Sequence, residues 1–143
     1  MEQLAFDAAM AETASGLRLA GLALLVDAGL VFADFELKRR TGNPHFPSMV
    51  FIVLLDLVIG SLLMSGKFGA RWFGLLRVVF GVLALGGFAW SQQKYGDFAM
   101  QLCFSIALLF LVVRKPRITP GSIAAGLCLI WELVLVILGA TPT

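Results

Sequence analysis

The chain has 143 residues, 59% of them hydrophobic and 14% charged, with a mean hydropathy of +0.93. Soluble domains run nearer 45–50% apolar and about 25% charged, so this composition excludes a disordered chain, a coiled coil and an ordinary soluble domain. The formal charge of +2 is carried by scattered lysines and arginines and argues against nucleic acid as a partner.

A spanning helix needs about 20 mostly apolar residues. Five segments come close: 16–37, 48–65, 70–90, 96–113 and 121–140. Residues 1–15 precede the first span and are expected to form a short interfacial helix or a frayed tail. They carry Glu2, Asp7 and Glu12 ahead of the first basic residue, Arg18, which is not the pattern of a secretory signal.

The breaks between segments carry turn chemistry. Lys38-Arg39-Arg40-Thr41-Gly42-Asn43-Pro44 closes the first span, and Ser65-Gly66-Lys67-Phe68-Gly69 separates the second from the third. Ser91-Gln92-Gln93-Lys94 and Arg114-Lys115-Pro116-Arg117 punctuate the remainder. The apolar runs do not alternate, which excludes membrane β-strands, and open backbone cannot face lipid.

The expected fold is therefore an all-α, polytopic integral membrane helix bundle of five transmembrane helices, one domain over residues 1–143. Four spans plus a re-entrant fourth segment is the alternative. Segment 63–72 resembles the hairpins of small bacterial multi-span membrane proteins, which implies a bacterial inner (plasma) membrane. Arg18, Lys67, Arg71, Arg114, Lys115 and Arg117 fall on one side, against Lys38, Arg39, Arg40 and Lys94 on the other. This asymmetry sets the N-terminus inside.

Four ionisable residues fall near span centres: Asp27, Asp56, Arg77 and Glu132, with Gln101 a neutral fifth. Each costs about 2.5–3.5 kcal/mol at mid-bilayer on insertion scales, so each needs a reason to be there. Two antiparallel helices place residues at one depth when they are equidistant from the turn. Asp56 and Arg77 flank the Gly66–Lys67 turn in this way, and Asp27 is level with Asp56 across the first turn. The same count puts Gln101 level with Glu132, in a second layer without a cation. Small residues at helical spacing, such as Gly74, Gly81, Gly121 and Ala125, share faces with these groups and mark tight helix contacts.

Two readings of the polar set stand. In one, Asp56 and Arg77 pair to fix helix register, and Gln101 and Glu132 supply interhelical hydrogen bonds. In the other, Asp27, Asp56, Arg77 and Glu132 bind or relay a proton or cation. Asp34 and Glu36 lie near the end of the first span, within i,i+4 reach of Lys38 and Arg40. Lys38, Arg39, Arg40 and His45 are candidates for contact with lipid head groups or a partner.

Trp72, Trp90 and Tyr95 mark the span ends. Cys103 and Cys128 lie inside apolar runs and read as small buried hydrophobes. A single histidine argues against a metal or haem site. No catalytic motif is visible, and neither a cofactor nor a metal is expected. The leading function is a non-enzymatic subunit, adaptor or immunity-type partner of a membrane complex, in homo- or hetero-oligomeric contact within the lipid bilayer. The alternative is a small proton- or cation-coupled transporter or channel.

Overall fold

The computed structural model describes residues 2–40, 48–91, 93–113 and 116–138. They form five helices with no strand among the described residues. We label them α1 (Glu2–Arg40), α2 (Ser48–Met64), α3 (Phe68–Ser91), α4 (Tyr95–Val112) and α5 (Ile118–Leu138). Three of them, α1, α3 and α5, are long and apolar enough to cross a membrane. The apolar stretches of the other two, Phe51–Met64 and Phe98–Val112, are shorter.

The N-terminal residues differ from expectation. No separate interfacial piece exists, because α1 runs unbroken for 39 residues, roughly 58 Å at 1.5 Å per residue. Residues 4–14 contain no glycine or proline and five alanines, so nothing interrupts helix propagation into the apolar stretch. Residues 2–12 are all exposed and extend beyond the end of the bundle.

Turn chemistry closes the hairpins. Gly66 follows α2 with φ +70°, the left-handed conformation that glycine adopts without steric cost. Gln93 takes the same region, φ 58°, after α3. Its N–H bonds Trp90 O and the Lys94 N–H bonds Ala89 O, both at 2.9 Å, which is a Schellman-type stop. Trp90 then stacks edge-on against Tyr95 and Phe98, with ring centroids 5.0 and 5.2 Å apart, and ties α3 to α4. Pro120 sits in the first turn of α5, where a missing N–H costs no intrahelical bond.

Helices α2, α3, α4 and α5 follow one another around an arc, and α1 closes it by packing on both α2 and α5. Glycines set the closest approaches. A Cβ on Gly21 would lie 2.6 Å from Gly60 O, so α1 and α2 cross backbone to backbone there. A Cβ on Gly16 would collide with Leu111 O and Pro116, which seats the α4–α5 turn against α1. The apolar core includes Leu17, Leu24, Ile59, Leu63, Leu108 and Leu111.

The outer surface is also apolar. Leu22, Phe32, Leu54, Val58, Leu76, Leu83, Ile123, Leu127 and Ile137 are exposed, while Asp56 and Arg77 are 0% and 1% exposed. Large apolar side chains outside and charges inside invert the pattern of a water-soluble domain.

Candidate functional site

The buried charges meet at the centre of the bundle. From the Gly21–Gly60 crossing, α1 runs six residues to Asp27 and α2 runs four residues back to Asp56. The helices are antiparallel, so both acids lie on the same side of the crossing at similar depth. Both carboxyl groups face the guanidinium of Arg77. Arg77 enters from α3, one turn beyond Gly74, whose bare Cα admits Val112 and Leu63 at close range.

Arg77 Nε donates to Asp56 Oδ1 at 2.5 Å, and Nη2 donates to Oδ2 at 3.5 Å. Nη2 is also 3.8 Å from Asp27 Oδ2. Glu132 of α5 is half-buried. The result is a buried charged cluster in which Arg77 of α3 faces Asp56 of α2 and Asp27 of α1.

Of the second expected layer, Gln101 Oε1 is buried without a hydrogen-bond partner in the protein, so it accepts no bond from Glu132.

One polar residue of the centre was not singled out from the sequence. Ser105 of α4 is 1% exposed and its Oγ has no partner in the protein. Its signal was present: Ser105 stands four residues after Gln101, on one face of an otherwise apolar helix. With it, every helix contributes a polar side chain to the interior.

The chemistry of the cluster follows from its count. Two carboxyl groups face one guanidinium, and arginine keeps its proton in proteins. One carboxyl is therefore in excess of the charge that Arg77 balances. Among the described residues, no group of three His, Cys, Asp or Glu is arranged to hold a metal ion.

The remaining candidates lie at the end of α1. Lys38 pairs with Asp34 at 3.1 Å, and Arg39 and Arg40 reach Glu36 at 2.9 and 3.9 Å. These are the local pairs that the i,i+4 spacing implied, with Arg39 added at i,i+3. His45 lies outside the described residues. At the opposite end, Arg71 lies over the rings of Phe68 and Trp72, 4.4 and 4.8 Å from their centroids. Cys103 is exposed and Cys128 partly so, both as free thiols. No family model, curated protein or solved structure matches the chain.

Proposed function

We propose that the chain is a five-span integral membrane protein of a bacterial inner membrane, N-terminus inside, whose central carboxyl cluster takes up and releases protons. On this reading it is a small proton-coupled transporter or channel. The observation that carries the reading is the Arg77–Asp56–Asp27 cluster, in which buried carboxyl groups outnumber the guanidinium two to one. A register-fixing ion pair requires one acid and one base. A second acid beside that pair adds desolvation cost, which is the pattern of a site that handles protons. Five short helices enclose little volume, so the working unit is an oligomer.

The test is infrared difference spectroscopy on protein in lipid vesicles while the pH is stepped. A protonated-carboxyl carbonyl band should change with pH in the wild type and be altered in Asp27→Asn and Glu132→Gln. A spectrum without any such band at all pH values would overturn the reading.

A second reading, a non-enzymatic subunit, adaptor or immunity-type partner, is favoured by a different observation. Gly29 on α1 is exposed with nothing within 4 Å of a Cβ placed there, and Ala33 beside it is exposed too. Small residues facing outward suit close approach by a helix of another chain. Purification in mild detergent followed by mass spectrometry distinguishes a stoichiometric hetero-complex from a homo-oligomer.

A further inference from the structure

The two ends of the bundle treat their cations differently. At the end of α1, Lys38 pairs with Asp34, and Arg39 and Arg40 reach Glu36, so acids of the same helix offset most of that basic run. At the opposite end, Arg18, Lys67 and Arg71 have no carboxylate within ion-pair distance among the described residues.

These three cations gather on one turn. The Arg18 guanidinium lies against the bare Cα of Gly66, where a Cβ would be 2.9 Å from Nε and 3.2 Å from Nη2. Gly66 is the residue before Lys67. Arg71 lies over the ring of Phe68, the residue after Lys67, and over that of Trp72. Its Nε has no hydrogen-bond partner in the protein, so aromatic faces alone hold this guanidinium. Phe68 also begins α3, which adds the positive end of a helix dipole. Like charges brought together without a counter-ion repel. The border of the patch is apolar: Leu22, four residues after Arg18 on the same face of α1, and Trp72 and Phe73, which follow Arg71, are all exposed.

We propose that Arg18, Lys67 and Arg71 form a binding site for the headgroup phosphate of an anionic phospholipid. The occupant must carry negative charge to offset the three cations, and it must accept hydrocarbon directly beside that charge. A free inorganic anion meets the first requirement only. A phospholipid meets both, with its phosphate at the cations and its acyl chains along Leu22 and Trp72. A planar guanidinium matches phosphate oxygens two at a time, and tryptophan favours the depth of the head groups. The site lies at the other end of the bundle from Lys38, Arg39 and Arg40, whose charges are already paired. It rests on the chain being embedded in lipid and holds whether or not the central carboxyl cluster exchanges protons.

Native mass spectrometry of the detergent-solubilised protein, titrated with phosphatidylglycerol or with phosphatidylcholine, tests the site. Phosphatidylglycerol is expected to bind more tightly. Its binding should weaken about fivefold in Arg18→Gln and again in Lys67→Gln, the effect of one basic residue near anionic lipid. Both side chains are exposed, so these variants are expected to fold. Arg39→Gln should leave the binding unchanged. Added sodium chloride should weaken it in the wild type, a measurement that needs no variant. Equal affinity for the two lipids would overturn the proposal, as would insensitivity to salt or an equal loss in Arg39→Gln and Arg18→Gln. Displacement of phosphatidylglycerol by an equal concentration of inorganic phosphate would identify a soluble anion as the occupant and overturn the headgroup. None of these outcomes bears on the carboxyl signal that tests the proton reading.

Discussion

Arg77 on α3 stands between carboxylates of two other helices, bonded through Nε to Asp56 at 2.5 Å and lying, through Nη2, 3.8 Å from Asp27. The shorter contact is the working pair, and the longer one is a substitute already in place. In Asp56→Asn the guanidinium can turn to Asp27 and retain a counter-charge. In the double variant Asp27→Asn/Asp56→Asn it has neither, and a buried charge stripped of its partners costs about 3–5 kcal/mol. The double variant is expected to lose more stability than the two single variants summed. Unfolding of detergent-solubilised protein measures this, and strict additivity would show that Asp27 does not take over the charge.

Glycine substitutions should separate by position along one helix. Gly21→Ala puts a methyl against the backbone oxygen of Gly60, which cannot swing aside. Helices α1 and α2 must part, at about 1–3 kcal/mol, and the cluster of Asp27 and Asp56 about Arg77, beside the crossing, loosens with them. Gly29→Ala meets nothing within 4 Å and removes a glycine from a helix interior, a change worth about 0.5–1 kcal/mol in favour of the fold. Thermal unfolding of the two variants should move in opposite directions. Equal destabilisation would mean that Gly29 is covered by another chain.

Glu132 distinguishes structure from proton handling. Gln keeps a donor and an acceptor at the same reach, so Glu132→Gln should leave stability nearly unchanged. Glu132→Ala removes the polar group from the helix and should cost about 0.6–2 kcal/mol, the worth of an interhelical hydrogen bond in lipid. If the cluster moves protons, Glu132→Gln abolishes the pH-dependent carboxyl signal in a protein that still folds. An unaltered signal in that variant would remove Glu132 from the proton site.

Membrane topology is testable without further structure. Five spans place the two termini on opposite sides, with the Arg18–Lys67–Arg71 end inside. Reporter fusions at Met1 and Thr143 should therefore report opposite compartments. The same compartment for both would favour four spans and a re-entrant α4, whose apolar stretch is among the two short ones.

The sequence by itself determined the class of secondary structure, the number of helices and most of their limits, because helix length and turn chemistry are local. Long apolar runs without alternation admit only helices, and Gly66 and the stretch before Tyr95 stop them by local backbone preference. The continuation of α1 through residues 2–15 was not legible, since an amphipathic start and a frayed end look alike until the chain is seen to propagate. Asp27, Asp56 and Arg77 could be placed at one depth because each pair of helices is joined by a short turn, which ties depth to distance along the chain. Only the tertiary structure decided that Gln101 Oε1 is left unpartnered and that Ser105 Oγ and Arg77 Nη1 both lie against Gly81. Those relationships depend on the rotation of each helix about its axis, which counting from a turn does not give. They are set by how closely two backbones approach at Gly16, Gly21 and Gly60, and such contacts depend on which glycine faces which helix, a property of the packed bundle that no local pattern along the chain encodes.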